Sequence, residues 1–502
     1  MSTPPTAALD SGTHSTTQGE GLRRQVERAG LAGVVFVGVV AAALVWGSLS
    51  AEAPEIGIAV SLLGLVAVVI AVLRPSPLAR LAGVLLLQVS QLGGEAGTSV
   101  LEAIAGVALV GYLAHWYLTA IVNGRPMVRS MFDVAAVAWG TVGLVAAAII
   151  GQLFGADPYD FRADILATLP FLLYLPVKDA CLRDERGTLV IGTVLCVFGL
   201  AAAAINLTLF RTAVTSANAW YEVADARFNV GETSITAGLM MCLAGAATAS
   251  RRWLTLVLAG TAALLLGGLF ITKSRGFWVS AAFGVVAMVV VAPAAQRRRI
   301  LGYGLLGLIG LVAIGALLFW DQLSLIALGA YNRLISIGTA STSISLLNRF
   351  AENEAVLAKM RVNPVLGYGW GVQFTHYSVV TEGTRHWAFM HNGYLSLWYK
   401  TGLWGLGLMM AVWVGAMTRA ALAARRLRTR TRDRALALAA GATIAAFTPV
   451  ATTSNPFSVL DQMLIVTLVL ALAHGVADRS LAPELDGRSR TAIPTPSPGA
   501  EA

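Results

Sequence analysis

Charged residues are scarce in this chain of 502 residues, where Asp, Glu, Lys and Arg together make up 13% of the sequence. Soluble domains carry roughly 25% charged residues, so the composition argues against a soluble protein. Hydrophobic residues reach 56%, and the mean hydropathy is +0.71. The composition therefore predicts an integral membrane protein.

Cysteine is nearly absent, with Cys181, Cys196 and Cys242 as the only three. Their number is odd and their spacing is not that of a metal site, so we expect buried free thiols rather than a disulfide framework. The net charge of +9 would suggest nucleic acid binding in a soluble protein. In a membrane protein the positions of the basic residues matter more, and we expect no nucleic-acid partner.

Long apolar runs fill the chain between two polar ends. Residues 1–30 and 479–502 are polar and rich in small residues and proline, which predicts disordered cytoplasmic tails.

A helix needs roughly 20 apolar residues to cross a bilayer. The fold class that follows is all-α, a polytopic transmembrane helix bundle of about 12–14 spans, with membrane helices over 31–320 and 391–478. Candidate spans lie near 31–49, 56–73, 78–92, 100–122, 131–154, 162–177, 188–209, 233–249, 253–272, 275–292, 300–320, 391–418, 435–451 and 457–476. The runs at 78–92 and 162–177 are short, so each could instead be re-entrant or merge with a neighbour.

The loops that contain most of the basic residues alternate with acidic or neutral loops. Clusters such as "QRRR" at 296–299 and "RRLRTRTRDR" at 425–434 all fall on one side of the membrane if both termini are cytoplasmic. That topology places the one long hydrophilic stretch between spans, residues 321–390, outside the cytoplasm. It also places Lys273 and Arg275 of "TKSRGFW" outside, against the positive-inside bias.

The predicted extracytoplasmic segment begins with a helical pattern. Apolar residues recur at helical spacing in "LLNRFAENEAVLAKMRVNP", which predicts an amphipathic helix that ends near Asn363, before Pro364. The apolar positions are Leu346, Leu347, Phe350, Leu357 and Met360. We expect a loop, "FTHYSVVTEGTRHWAF", between this helix and His391.

Three glycines occur within the five residues from Gly367 to Gly371, in "VLGYGWG". This density predicts a tight turn, or a place where the backbone approaches another group closely.

Four motifs occur in order: "SRG" at a helix end, "NRF", "NPVLGYGWG" and "HNGYLSLWYKTGLWGL". Over roughly residues 260–420 this series resembles the O-antigen ligase and polymerase superfamily of polytopic membrane proteins. The resemblance implies a metal-independent glycosyltransferase without a cofactor, at the outer face of the cytoplasmic membrane. Such enzymes move a glycan from a polyprenyl-diphosphate carrier to a hydroxyl of a glycolipid, of another lipid-linked repeat or of a protein.

The residue types in these motifs suit that chemistry. Arginine binds phosphate oxygens bidentately and keeps its charge, so Arg275 and Arg349 are candidates for binding the diphosphate, with Lys273 and Arg361 in support. His391 is the candidate base for the acceptor hydroxyl, since imidazole titrates near neutral pH.

Asn392 either orients the His391 imidazole or caps the helix that begins here. In the same family order, Gly367 and Gly369 belong to the backbone turn.

Simpler roles compete with each of these assignments. Arg275 could snorkel to lipid headgroups, and Arg349 could pair with Glu352 along one helix. Trp370 could stack on a sugar or belong to an interfacial aromatic belt.

The polar residues of the predicted loop have two possible roles. They could shape the acceptor site or be solvated surface residues. They are Glu382, Arg385, His376 and His386.

A transporter or flippase of lipid-linked glycans is the rival class. Transporters usually contain internal repeats and ionisable residues near the middle of their spans. No repeat relates the halves of this sequence, and charges in the middle of the predicted spans are nearly absent. These features favour an enzyme whose site lies at the membrane surface.

Overall fold

A computed structural model of the chain describes residues 76–92, 100–216, 228–318, 344–427 and 431–490, with a few isolated positions between 320 and 335. The predicted N-terminal tail and the spans at 31–49 and 56–73 lie outside these residues. Over the described residues the predicted all-α bundle is confirmed, because helices account for nearly all regular structure. The α-helices are α1 (Pro77–Leu87), α2 (Val100–Val122), α3 (Met131–Thr141), α4 (Ala147–Leu153), α5 (Pro158–Thr168), α6 (Tyr174–Arg183), α7 (Glu185–Ser216), α8 (Glu232–Thr248), α9 (Arg252–Ile271), α10 (Arg275–Val291), α11 (Ala294–Leu318), α12 (Ile344–Met360), α13 (Gly393–Arg426), α14 (Thr431–Val450) and α15 (Leu460–Arg490).

Two compact units divide the chain. The smaller one includes α1 and the first half of α2, where the Gln88 Nε2 amide donates to the Ala105 carbonyl at 2.9 Å. The larger one holds the remainder from Leu113 onward and contains every candidate site residue.

Six stretches of the described chain are long and apolar enough to cross a membrane. They are Met131–Leu153, Pro158–Arg183, Glu185–Val214, Arg252–Ile271, Gly393–Arg426 and Leu460–Ser480. The segment predicted at 162–177 merges with its neighbours into Pro158–Arg183, through a short 3-10 turn at Leu169–Leu173. The run at 78–92 forms only the 11-residue helix α1 followed by a 3-10 turn, because polar Gln88 and Gln91 end its apolar pattern.

A β-hairpin occupies the stretch that we expected to be a loop before His391. Strand β1 (Phe374–Ser378) pairs antiparallel with β2 (Gly383–Trp387), and His376 lies opposite Arg385. Phe374, His376 and Ser378 face inward in alternation. The strand signal is weak in sequence because two of these three inward residues are polar. The turn that contains Gly367, Gly369 and Gly371 is called the glycine turn. We refer to residues 344–392, which comprise α12, the glycine turn and the hairpin, as the hydrophilic segment.

Helix α12 forms where the sequence predicts it, and it has apolar residues on both its buried and its exposed face. The buried positions are Asn348, Glu352, Val356 and Met360, spaced by four residues. Of the five apolar residues that predicted the helix, three are exposed: Leu347 at 40%, Phe350 at 55% and Leu357 at 42%. Periodicity located the helix, but it could not reveal that the two polar residues have partners inside the protein.

Helix α13 is broken at Gly402, which has φ 74° and ψ 176°. Tyr394 Oη donates to the Thr448 carbonyl at 2.9 Å, and Trp413 Nε1 donates to the Thr448 hydroxyl at 3.1 Å. In a straight helix, residues 394 and 413 would be about 28 Å apart, because each residue adds 1.5 Å. The chain must therefore fold sharply at Gly402, and the single span predicted at 391–418 consists of two helical segments.

Buried ion pairs lie within the candidate spans, toward their ends rather than in the middle, where the sequence predicts that charges are nearly absent. Lys400 Nζ lies 2.6 Å from Asp164 Oδ1, and both side chains are largely buried. Lys178 Nζ lies 2.5 Å from both Asp133 and Asp478. Because each charge has its partner on a distant segment, composition alone underestimated how many charges the bundle holds.

The last helix continues beyond the predicted start of the C-terminal tail at 479 and ends at Arg490. Its extension begins with two anchored residues. Asp478 pairs with Arg419, and Arg479 pairs with Asp433. Residues 491–502 lie outside the described part of the chain.

The predicted free thiols are present, with Cys181 and Cys242 buried and Cys196 partly buried.

Candidate functional site

The site is built around the start of α13. Asn392 is the N-cap, and its side-chain Oδ1 accepts a hydrogen bond from the Leu395 amide at 3.1 Å. The structure therefore shows the capping alternative for Asn392. Asn caps because its short side chain satisfies an amide that has no partner within the helix. His391 directly precedes the cap and is about one third exposed.

Glu352, rather than Asn392, contacts the His391 ring. Its Oε2 lies 2.8 Å from His391 Nδ1 and 3.4 Å from the His391 amide nitrogen. The Glu352 side chain is 2% exposed, whereas that of His391 is 32% exposed. A carboxylate that accepts from Nδ1–H fixes the tautomer in which Nε2 has a free lone pair. The ring is thus oriented as a base requires.

Glu352 is itself held in place by its own helix. Asn348, one turn earlier, donates from Nδ2 to Glu352 Oε1 at 2.9 Å and accepts from the Val379 amide at 3.1 Å. These contacts tie α12 to the end of β1 and leave both carboxylate oxygens occupied.

His376 is a second imidazole beside this pair. The side chain is on the inward face of β1, the residue is 4% exposed, and neither ring nitrogen has a hydrogen-bond partner among the described residues. Burial lowers the pKa of His376, and Arg385 and His391 also lower it, while the Glu352 carboxylate opposes the shift. His376 is consequently a neutral ring next to Glu352.

The glycine turn locks the hydrophilic segment onto the broken helix. Gly367, Gly369 and Gly371 have φ of 73°, 85° and 75°. A Cβ at any of the three would lie within 3.0 Å of backbone atoms on another segment. The Tyr368 amide donates to the Tyr399 carbonyl at 2.7 Å, next to the break. This is the close backbone approach that the glycine spacing predicts.

Trp370 has no access to a sugar, because it is 1% exposed and its Nε1 donates to the Gly143 carbonyl. The proposed stacking role for this residue is therefore wrong. Its ring lies 5.8 Å from Lys400 Nζ instead. The indole is part of the contact between the glycine turn and the bundle.

Arg275 is the first residue of α10, whose N-cap is Ser274. A Cβ at Gly276 would lie 3.2 Å from the Thr453 hydroxyl, so the first turn of α10 abuts the turn that follows α14. The same turn holds the start of α13, since the Gly393 amide donates to the Ala451 carbonyl at 2.8 Å. Two helix N-termini, one with Arg275 and one with His391, therefore meet at residues 451–455.

The other predicted cations are spread more widely. Arg349 is on α12 one turn before Glu352, on the edge of the buried face. Lys273 has φ 53°, and its ammonium lies 5.8 Å from the centre of the Phe210 ring. Arg361 is exposed in the turn after α12, and no described hydrogen bond or ion pair joins its side chain to His391.

Sequence reasoning missed two residues of this site. Glu352 was considered only as a partner of Arg349, although it shares a four-residue spacing with Asn348. Asn455 was not considered, yet it is 1% exposed and donates from Nδ2 to the Met390 carbonyl at 3.0 Å. It fixes the backbone just before His391.

Residues 260–410 match the family described as O-Antigen ligase. The match covers α10, α12, the glycine turn, the hairpin and the first half of α13. It confirms the resemblance seen in the motifs and indicates an O-antigen ligase-like or polymerase-like membrane function in polysaccharide biosynthesis. No curated protein matches the chain.

Proposed function

We propose that the protein transfers a glycan from a polyprenyl-diphosphate carrier to a hydroxyl acceptor, at the extracytoplasmic face of the cytoplasmic membrane. The observation that carries this proposal is the His391–Glu352 pair: a partly exposed imidazole whose Nδ1 lies 2.8 Å from a buried carboxylate. The O-antigen ligase match supports the donor class. The positive-inside pattern supports the side of the membrane, with both termini cytoplasmic.

The acceptor hydroxyl attacks the anomeric carbon of the donor sugar. As the new carbon–oxygen bond forms, the bond to the phosphate oxygen breaks, and its electron pair leaves with the lipid diphosphate. Nε2 of His391 takes the hydroxyl proton, and Glu352 stabilises the imidazolium that results. Asn392 supports this step by capping the helix directly behind the base.

The leaving diphosphate needs positive charge where it departs. Arg275 supplies a guanidinium at a helix N-terminus, where the helix dipole also favours anions. Arg349 is on the same helix face as Glu352 and is the second candidate, with Lys273 and Arg361 as supporting cations. Because the proposed chemistry activates the acceptor with a side chain, it needs no metal ion. The acceptor is a glycan, a glycolipid or a protein hydroxyl.

The test is the lipid-linked glycan profile of cells in which His391→Ala replaces the wild-type protein at matched expression. Single repeats that build up on the carrier identify a polymerase, and finished polymer stranded on the carrier identifies a ligase. His386→Ala is the matched control, because this second histidine is exposed on β2 and contacts only Thr375 among the described hydrogen bonds. A His391→Ala profile equal to wild type would overturn the proposal.

A transporter of lipid-linked glycans remains the alternative, and the buried Lys400–Asp164 pair is the observation that favours it, because transporters also contain ionisable residues in their spans. Here Asp164 also accepts from the Gly371 amide at 2.9 Å, which gives the pair a structural role. The two functions predict different locations for the accumulated donor. After loss of a flippase, it stays on the cytoplasmic leaflet, out of reach of an enzyme added outside.

A further inference from the structure

Helix α12 exposes apolar side chains on the face opposite the buried one, which holds Asn348 and Glu352 together with Val356 and Met360. This apolar face consists of Leu347, Phe350 and Leu357, each at least 40% exposed. A helix in water normally keeps its apolar side chains against the protein and polar ones on the outside. An exposed apolar face of this kind marks a surface that another apolar medium covers.

The apolar surface does not stop where α12 ends. It continues along the chain to the broken span through Val362 at 82%, Val365 at 57%, Leu366 at 53% and Leu403 at 54% exposure. Backbone contacts fix the junction, since the Leu403 amide donates to the Pro364 carbonyl at 3.1 Å and Trp398 Nε1 donates to the same oxygen at 2.8 Å.

The far end of this surface belongs to a candidate membrane span. Residues 403–426 follow the break and, at 1.5 Å per residue, extend about 36 Å, which is enough to cross the roughly 30 Å hydrocarbon core. Leu403 thus marks one end of a crossing segment, near Trp398 and Trp404. Tryptophan is enriched at that level of a membrane. The apolar surface of α12 thus leads along the chain to the end of a candidate membrane span.

We propose that α12 rests in the membrane interface, with its apolar face in contact with lipid acyl chains. Two charged side chains, Glu354 and Arg361, are also exposed on this side of the helix. The long side chain of Arg361 can reach the headgroups, which keeps the helix at the interface and out of the hydrocarbon core.

This placement has a consequence for the site, which rests on the proposed function. Glu352 and its partner His391 are on the opposite face of α12, and a helix with its side chains is about 10–12 Å across. The base would be held about one helix diameter above the acyl chains, at the edge of the headgroup layer. A diphosphate on a lipid carrier lies in that layer.

Electron paramagnetic resonance of a spin label tests the placement without an activity assay. Single cysteines replace Leu347, Phe350 and Leu357 in the full-length protein in phosphatidylcholine–phosphatidylglycerol nanodiscs. Thr384→Cys, on the exposed side of β2, is the control, and the wild-type protein measures background labelling of the native thiols. Collisions with oxygen, which concentrates in lipid, are compared with collisions with a water-soluble nickel chelate.

We expect oxygen collisions to exceed nickel collisions several-fold at the three α12 positions and the ratio to be reversed at Thr384. Nickel access equal to that at Thr384 would show that the face is in water, and low access to both reagents would show that protein covers it. Either result overturns the proposal. If the helix positions do not tolerate a label, Val362→Cys in the following turn gives the same reading.

Discussion

Replacing Glu352 with glutamine tests whether the carboxylate orients His391. The substitution keeps the size of the side chain and removes its charge. Hydrogen bonds to charged groups contribute about 1.5–3 kcal/mol and neutral ones about 0.5–1.5 kcal/mol, so loss of the charge costs about 1–1.5 kcal/mol. That loss falls on the charged imidazolium, which forms as the acceptor proton is taken.

Glutamine also creates a conflict of donors. The Asn348 amide donates to Oε1 in the wild type, and His391 Nδ1 faces Oε2. One end of a glutamine amide is an NH₂ group, so it must face one of these two donors. If it faces the ring, it favours the tautomer with the proton on Nε2, which cannot act as the base. Together the two effects predict a loss of roughly 100-fold in kcat, or about 2.7 kcal/mol.

The assay is the initial rate of glycan transfer in proteoliposomes, with lipid-linked glycan extracted from the producing cells as donor. Glu354→Gln is the matched control, since it makes the same change two residues further along the helix, at an exposed position. Glu352→Asp separates orientation from structure, because it keeps the charge but alters the packing more than glutamine does. We expect Glu352→Asp to retain more activity than Glu352→Gln. The reverse order, or a Glu352→Gln rate within about threefold of wild type (under about 0.7 kcal/mol), would refute the reasoning.

Three further predictions concern stability. Gly402→Ala should prevent accumulation of folded protein, because Gly402 has a positive φ and a Cβ there would overlap the backbone of Leu366. Gly407→Ala should be neutral, because a Cβ at Gly407 would meet open space. Size-exclusion chromatography measures both, and equal behaviour of the two variants would contradict the close packing at Gly402. Lys400→Met should lower the thermal midpoint, because it leaves the Asp164 carboxylate buried and unpaired at a cost of about 3–5 kcal/mol. Adding Asp164→Asn should recover part of the lost stability. If it recovers none, loss of the ion pair is not what destabilises the Lys400→Met variant. The lowered pKa of His376 means that the unfolded chain binds a proton more readily than the folded one, so the folded state should lose stability as the pH drops below about 6.5. Protection of α12 from hydrogen exchange, corrected for intrinsic exchange rates, should fall over that range. His376→Phe should remove this part of the pH dependence, and a variant profile unchanged from wild type would contradict the prediction.

The sequence predicted well those features that depend on local backbone requirements. The glycines from Gly367 to Gly371 indicated a close backbone approach, and Asn392 was recognised as a possible cap, because both signals lie within a few residues. The extent of α12 was also nearly right, since Pro364 limits where a helix can end.

Features that depend on distant partners were not predictable. Glu352 and His391 are 39 residues apart, and nothing in the local pattern links them. The direction of the α12 faces could not be read either, because periodicity separates an apolar side from a polar side without identifying the medium next to each. Lys400 and Asp164 were overlooked for the same reason, since a buried charge is recognisable only beside its partner.

The break at Gly402 explains how His391, the proposed base, can be held rigidly at the end of a candidate membrane helix. His391 is fixed by Glu352 from α12, while the Met390 carbonyl and the Gly393 amide on either side of it are held by Asn455 and Ala451. None of these contacts comes from the crossing segment 403–426. Because the helical hydrogen-bond pattern is interrupted at Gly402, tilting of that segment need not rotate the first turns of α13. The position of His391 is therefore set by the hydrophilic segment and the turn after α14, which also lies against the helix that begins with Arg275.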